Sequence, residues 1–460
     1  MTIDNRGCTE DIGQPLSILE RASNFDVMLR RICVALALFS ALSTPSATAQ
    51  NQPLPLEGFV TRAVSFADFD ADGLHVLFSR ETRVRVGNTF VTDPATSGSP
   101  YVGQPVSIVG RQQRGKHQIK AEEIVFLPVP ERKVSGFAVI DRVLSPSASK
   151  EILVRADGYP ILVNASTQIT FKTPFASLSQ ITTNIWIAFH GKLREDGTVL
   201  AETAIFTQNI VQDREDKLLA KTDYDPSAVP DDSKQNVARK FFLGVDLKKI
   251  PPVHDAAMQA RINHIGESLI PRYQRDLPDT DETKIDFRFQ LVDQPKWHDA
   301  VTTPGGVILV PRHIVERLQN DSQLAAVLAD NIGTALEKQT YFAMPKNQAI
   351  LAANLGGTAA GFFVPGLGLA TGIATFSSAK TIYSHQIQQS GRVGLGLLHD
   401  AGYDINEAPL AWWTIAAKNT ADPTATDPPD RSLNLYRTIG TVWHNYSESP
   451  IKPATALQSN

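Results

Sequence analysis

Residues 322–334 of this 460-residue chain read SQLAAVLADNIGT. Their apolar positions recur with the three-to-four-residue spacing of an α-helix. Asn320 stands just before this run, and Gln323 follows it by three residues, which is a pair typical of a helix N-terminus. The pattern predicts a helix from about 322 to 338 that carries the polar stretch 330–334 (DNIGT) on a largely apolar surface.

The segments before this helix predict an α+β arrangement. Residues 256–269 carry apolar side chains at helical spacing, whereas residues 287–292 (FRFQLV) and 307–310 (VILV) have the composition of strands. Pro304-Gly305-Gly306 is a turn signal before the second strand. The predicted order is therefore helix, strand, turn, strand and helix.

This order resembles the HtpX and CAAX-protease-like gluzincin zinc metallopeptidases, known as peptidase family M-forty-eight. The resemblance covers roughly residues 245–440, and it implies a gluzincin-like α+β fold. The stretches that carry it are QARINHIG at 259–266, DA at 299–300, PGGVILV at 304–310, SQLAAVLA at 322–329, RVGL at 392–395 and AGYD at 401–404.

In that family the helix that matches 322–338 carries the motif H-E-x-x-H. Two histidines four residues apart lie on one helical face and bind one zinc ion, while the glutamate activates water. A glutamate on a later helix is the third ligand. The resemblance assigns the histidine positions to Asp330 and Thr334, the general base to Asn331 and the third ligand to Gln389.

None of these four residues keeps the function of its family counterpart. The Asn331 amide does not accept a proton at neutral pH, and hydroxyl and amide oxygens are poor zinc ligands. We therefore expect no catalytic residue, no bound metal and a pseudoenzyme. One alternative keeps an active zinc peptidase, in which His385, four residues before Gln389, joins Asp330 in a relocated metal site. A lone helical histidine is more often a surface or core residue than a ligand.

The resemblance also implies a partner site, because the family strand that matches 307–310 is the sheet edge on which an extended substrate pairs. Such pairing uses backbone hydrogen bonds and needs no zinc. We expect a polypeptide partner in a cleft formed by Pro304, Gly305, Gly306, Val307, Ile308, Leu309 and Val310. A further alternative is a structural or adaptor protein that acts through the N-terminal half of the chain.

That N-terminal half contains an internal repeat with a period of roughly 80 residues. Residues 58–60, 106–110 and 121–126 recur as 136–138, 187–191 and 201–206. Each unit has the pattern of about five short strands, which predicts two β-barrel-like, OB-like repeats. The units also resemble β-rich repeat domains of unknown function in bacterial envelope proteins.

The first residues have the features of an exported protein. Arg30 and Arg31 precede an apolar run at 32–42, and small residues end at Ala47-Thr48-Ala49, which is the order of a secretory signal peptide. We predict a start at Met28, cleavage after Ala49 and a periplasmic or extracellular location. Both cysteines, Cys8 and Cys33, precede this cut, so the mature chain would contain no thiol.

The remaining expectations concern partners and boundaries. A net charge of −4 and the absence of a basic, aromatic row in the repeats argue against nucleic acid. Residues 347–379 contain no charged side chain and are either buried helices or a membrane-contacting segment. Residues 68–73 (DFDADG) begin like a calcium loop but favour a β-turn. The predicted domains are an extension and signal peptide at 1–49, repeats at 50–130 and 131–211, a linker at 212–244, the metallopeptidase-like domain at 245–447 and a tail at 448–460.

Overall fold

The structure is a computed structural model, and its described residues belong to one compact unit that begins at Leu54. These residues are 54–113, 116–148, 151–209, 219, 223–229, 250–342, 376–417 and 422–448. The predicted signal peptide at 1–49 lies outside them, as do most of the predicted linker and the charge-free residues 347–375.

The first repeat is a small barrel of five strands, which we call barrel one. The repeat contains the strands β1 (Leu54–Ser65), β2 (Asp68–Ala71), β3 (Leu74–Leu77), β4 (Arg83–Val86), β5 (Thr89–Phe90), β6 (Pro105–Gln112) and β7 (Gln118–Phe126), of which β1, β2, β3, β6 and β7 form the barrel. β1 pairs antiparallel with β2 and β6, β2 pairs with β3, and β6 pairs with β7. A parallel pairing of β3 with β7 closes the barrel, and the β4–β5 hairpin extends it beside β7.

The second repeat, barrel two, follows the same plan. Its strands are β8 (Arg132–Ala148), β9 (Glu151–Ala156), β10 (Tyr159–Val163), β11 (Gln168–Phe171), β12 (Trp186–Leu193) and β13 (Val199–Thr207). β8 pairs with β9 and β12, β9 with β10, and β12 with β13, and the parallel β10–β13 pairing closes the ring. The predicted pair of small barrels is confirmed.

Strand register supports most of the repeat alignment. Gly110 pairs with Ala121 next to a register shift, and Gly191 pairs with Ala201 next to the equivalent shift. A Cβ at either glycine would lie within 2.4 Å of a backbone carbonyl oxygen on the opposite strand. Both bulges therefore require glycine for close backbone approach.

One part of the alignment is wrong, namely the match of Gly58 with Gly136. Gly58 pairs with Val106, and the residue that pairs with the equivalent Ile187 is Ala138. Gly58 and Gly136 nevertheless share one structural feature, which is close approach to an aspartate carboxylate. A Cβ at Gly58 would meet the Asp72 carboxylate at 2.4 Å, and one at Gly136 would meet the Asp157 carboxylate at 2.7 Å.

Each of these aspartates begins an Asp-Gly turn that joins two strands. Asp72 and Gly73 have φ of 47° and 79°, and Asp157 and Gly158 have 54° and 71°. Positive φ at both central residues suits a right-twisted hairpin. The β-turn predicted within residues 68–73 is therefore confirmed at Asp72-Gly73, whereas residues 68–71 form strand β2. Both turns face the helices described next, since a Cβ at Gly73 would touch Trp413 and one at Gly158 would touch Arg392.

The C-terminal part is an α+β region with a small mixed sheet. Its helices are α1 (Ala256–Leu269), α2 (Arg272–Arg275), α3 (Arg312–Arg317), α4 (Asp321–Leu336), α5 (Gln339–Phe342), α6 (Phe376–Ala401), α7 (Glu407–Ala416) and α8 (Asp430–Thr438), and its strands are β14 (Arg288–Val292), β15 (Val301–Thr302) and β16 (Val307–Pro311). The helix and strand order predicted from the sequence is confirmed. The Asn320 side chain caps α4 by accepting from the Gln323 N–H at 2.9 Å.

The prediction that residues 307–310 form a sheet edge is wrong. The sheet order is β14-β16-β15, so β16 is the central strand and all five of its residues are buried. β15 covers it by only two pairs, Val301 with Leu309 and Thr302 with Ile308. A strand of two residues produces no alternating pattern of apolar and polar residues in the sequence. The sequence therefore did not predict that β15 covers β16.

Barrel two is continuous with the α+β region. Its inner residues, such as Ile152 and Phe189, share one hydrophobic core with Ile262 of α1 and Leu328 of α4. Barrel one has a separate core around Phe69, Ile108 and Phe126. Within the described residues no helix is long and apolar enough to cross a membrane.

Candidate functional site

Two of the predicted motif positions, Asp330 and Asn331, lie in the middle of α4. Asp330 and Asn331 are both buried, at 6% and 5% exposure, among apolar neighbours of the helix. Close packing of α4 against α6 creates this burial, because a Cβ at Gly394 would lie 3.0 Å from the Asp330 nitrogen. Each buried polar side chain therefore needs a partner from the protein.

The partner of Asp330 is Arg431, the second residue of α8. The Arg431 guanidinium lies 2.6 Å from one Asp330 oxygen and 2.7 Å from an Asp299 oxygen. It also stacks on the Trp412 ring of α7, 3.2 Å from its centroid. The other Asp330 oxygen accepts from the Ser390 hydroxyl at 3.1 Å. Both Asp330 oxygens are therefore already bonded.

The electrostatics of this cluster follow from its burial. Burial raises the pKa of the Asp330 carboxyl, the neighbouring Asp299 raises it further, and Arg431 offsets part of the rise. Burial acts in the opposite direction on Arg431, yet the two carboxylates hold the pKa of its guanidinium above its ordinary value. Arg431 thus contacts two carboxylates inside the protein.

Asn331 is fixed by two hydrogen bonds. Its amide nitrogen donates to the Val327 carbonyl at 2.9 Å, and its amide oxygen accepts from the Thr302 hydroxyl at 2.7 Å. Thr334 donates to the Asp330 carbonyl within the helix at 3.1 Å. These bonds hold both side chains in structural contacts, and neither presents a free proton acceptor.

Gln389, on α6, is directed towards the end of α4 and barrel two. Its amide nitrogen donates to the Phe137 carbonyl of β8 at 3.0 Å, and its oxygen accepts from Gln339 at 3.2 Å. The buried Glu337 carboxylate lies beside it and accepts from the Val139 N–H at 3.2 Å. Burial raises the pKa of Glu337 well above its ordinary value, and nearby Asp157 raises it further.

These positions do not fit a zinc ion. Zinc in proteins takes thiolate, imidazole and carboxylate ligands, whereas this set offers one carboxylate that is bonded to Arg431 and Ser390, a hydroxyl and two amides. Across the part of the chain that the structure describes, no group of three His, Cys, Asp or Glu side chains could hold a metal.

His385 lies in a different environment from Asp330. It lines a cavity between barrel two and the helices, where Asp157 pairs with Arg392 at 2.6 Å. Burial lowers the pKa of the His385 imidazole, and Arg392 lowers it further. The imidazole is therefore neutral near pH 7.

Arg431 is the central residue that the sequence reasoning missed. It stands four residues after Asp427 in a polar segment, and no periodic pattern distinguishes it from other surface arginines. A weak signal was available: a buried aspartate without a metal requires a cation. Comparison of the chain with models of known protein families and with curated proteins finds no match.

Proposed function

We propose that this protein is an exported, metallopeptidase-like pseudoenzyme that binds a polypeptide partner in the cell envelope without cleaving it. The proposal includes a gluzincin-like fold for the α+β region and OB-like folds for the two barrels. The order α1, β14, β16, α4 and α6 supports the first, and the strand pairings shared by the barrels support the second.

The observation that carries the proposal is the contact of Arg431 with Asp330. At the position where the family has a zinc-binding histidine, this chain has a buried carboxylate bonded to a guanidinium. An arginine is positively charged at every physiological pH. It can therefore compensate the carboxylate charge, but unlike a zinc ion it neither polarises a carbonyl group nor activates a water molecule. The neighbouring Asn331 amide is bonded on both its nitrogen and its oxygen.

The first experiment is elemental analysis of the purified protein after incubation with zinc and dialysis, together with an assay of casein cleavage. We expect no stoichiometric zinc and no cleavage. About one zinc per chain with chelator-sensitive cleavage would establish the active peptidase instead.

A restored variant supplies the matched control. It carries Asp330→His, Asn331→Glu, Thr334→His, Gln389→Glu and Arg431→Ala. If the fold is gluzincin-like, the variant gains about one zinc per chain, because the first four of these five substitutions supply a complete ligand set and a base. A folded variant that still binds no zinc would contradict the gluzincin-like geometry.

A second candidate is an adaptor that acts through barrel one. Among the described residues, the large apolar side chains that stay exposed are Val64, Val86 and Phe90, all on this barrel. Removing both repeats is not a clean test, because barrel two shares its core with the helices. Phe90→Ser is cleaner, since Phe90 is 63% exposed. If the Phe90→Ser variant, but not the parent protein, failed to bind its cellular partners, the result would favour the adaptor function.

A further inference from the structure

A cavity of about 330 Å³ lies between β8 of barrel two and helices α6 and α8. Its walls are strongly basic, and Asp157 is the one acidic residue among the described residues that line it. The basic side chains in its walls are Arg132, Lys133, Arg392, Arg431 and Arg437.

Two of these five cations have carboxylate partners inside the protein, and a third, Lys133, is exposed. Arg392 pairs with Asp157, and Arg431 pairs with Asp330 and Asp299. By contrast, no carboxylate of the described residues forms an ion pair with Arg132 or Arg437.

The surroundings of these two arginines favour the binding of an anion. The Arg132 Nε is buried and has no hydrogen-bond partner among the described residues. Burial lowers the pKa of the Arg437 guanidinium, nearby Arg132 lowers it further, and Asp72 opposes the shift. Arg437 is held in place over the Phe59 ring, 4.9 Å from its centroid. Two like charges kept together in one wall repel each other unless an anion lies between them.

The same cavity borders an open strand edge. β8 pairs with β12 from Arg132 to Val139 on one side, whereas its pairing with β9 begins only at Ile140. On the other side, the Val139 N–H donates to Glu337 and the Phe137 carbonyl accepts from Gln389.

Backbone groups along a strand point to alternate sides with a period of two residues. The main-chain groups of Lys133 and Ser135 therefore face the same side as those of Phe137 and Val139. Both residues line the cavity, which places these main-chain groups, on the side of β8 away from β12, at its wall.

We propose that this cavity binds an acidic, extended segment of a polypeptide, with a carboxylate between Arg132 and Arg437 and the segment's main chain paired with Lys133 and Ser135. This assignment rests on the proposed function, for which it specifies the partner's chemistry. The open edge favours a polypeptide over a free anion, because strand addition satisfies main-chain groups that an ion leaves unpaired. Arginine forks also match carboxylate geometry.

The test measures binding of a fluorescein-labelled peptide, SVEVEVS, to the purified protein by fluorescence anisotropy, beside the uncharged peptide SVQVQVS. The acidic peptide should bind about tenfold more tightly, and N-methylation of alternate residues should weaken its binding by a similar factor. Arg132→Gln and Arg437→Gln should each reduce affinity about tenfold. Arg194→Gln is the matched control, because Arg194 is an exposed cation of barrel two outside the cavity wall.

Lys133→Glu provides a variant with little risk to folding, since this side chain is exposed, and it should also weaken binding. Equal affinity for the two peptides, or unchanged binding by the three cavity variants, would overturn the assignment. Binding of inorganic phosphate without binding of the acidic peptide would overturn it as well. Zinc content and casein cleavage report separately on the proposed function, so failure of one proposal is distinguishable from failure of the other.

Discussion

The guanidinium of Arg431 lies 2.6 Å from the carboxylate of Asp330, in a contact between α8 and α4. The distance is that of a charge-assisted hydrogen bond, and the two residues are 101 positions apart in sequence. A carboxylate in the middle of a buried helix carries an uncompensated charge unless a cation contacts it. Arg431 of α8 compensates the charge of Asp330 and links α8 to α4 through an ion pair.

Arg431→Met should destabilise the protein by about 3–5 kcal/mol, because it leaves the buried Asp330 carboxylate without its cation. Adding Asp330→Asn to the same chain should recover part of the loss, since the remaining amide no longer carries a charge. Urea unfolding of the two single variants and the double variant at pH 7 measures the coupling.

The comparison variant is Arg312→Met, which breaks an exposed pair with Glu316 one helical turn away and should leave the unfolding midpoint unchanged. The account of Asp330 would be wrong if Arg431→Met unfolded at the same urea concentration as the parent protein.

Glu337→Gln should change how stability depends on pH. The pKa of the Glu337 carboxyl is raised in the folded state, so the fold binds its proton more tightly than the unfolded chain does. The contribution of Glu337 to the free energy of unfolding is therefore complete below the ordinary pKa of about 4.3. It declines as pH rises towards the pKa of Glu337 in the folded state.

In the parent protein this group lowers the free energy of unfolding by about 1 kcal/mol per pH unit across that window. Glu337→Gln keeps an oxygen that can accept from the Val139 N–H but removes the titration. Unfolding free energies at pH 5 and pH 8 should thus differ less in the variant. The same difference in both proteins would show that Glu337 is ionised throughout.

Much of the fold was predictable because its signals are local. Two repeats with bulge glycines at Gly110 and Gly191, the helix at 256–269 and the capped helix after Asn320 depend on near neighbours in sequence. The structure has all of them at nearly the predicted bounds.

What could not be predicted depends on contacts between distant segments. The two-residue strand at Val301–Thr302 carries no periodicity, yet it makes β16 the central strand of its sheet. Arg431 is one arginine among many until the fold brings it to Asp330. Likewise, the open edge at Lys133 and Ser135 arises only because β9 begins to pair at Ile140.

Asp400→Asn tests the link between barrel two and α6. Arg155, on β9, is 1% exposed and pairs with Asp400 at 2.6 Å and with Asp141 at 2.9 Å. Arg142 also reaches Asp400, at 2.9 Å. Removing the Asp400 charge should destabilise the protein by about 3 kcal/mol at pH 7, measured by urea unfolding.

The effect of Asp400→Asn should itself depend on pH. Burial alone would raise the pKa of Asp400, but Arg155 and Arg142 outweigh it and hold the value well below the ordinary range. The stabilisation is therefore present above the unfolded pKa of about 3.9 and is lost as pH falls below it. The parent and variant curves should begin to approach each other below about pH 4 and come closer as pH falls towards the folded pKa, and a constant difference there would contradict the ion pair as its cause.

Gly191→Ala should destabilise the protein by about 1–3 kcal/mol through backbone overlap. The added Cβ would lie 2.3 Å from the Leu200 carbonyl oxygen and 2.9 Å from the Ala201 Cα, and neither atom can move without breaking the β12–β13 ladder. Because barrel two shares its core with the helices, the whole α+β region should unfold earlier.

Gly110→Ala places the same overlap in barrel one, 2.4 Å from the Lys120 carbonyl oxygen. Barrel one has its own core, so hydrogen exchange should speed up in β1, β6 and β7 while the amides of α4 keep their protection. Gly305→Ala is the control for both, since its Cβ would meet nothing closer than 3.9 Å. Faster exchange in α4 of Gly110→Ala would mean that the two cores unfold as one cooperative unit.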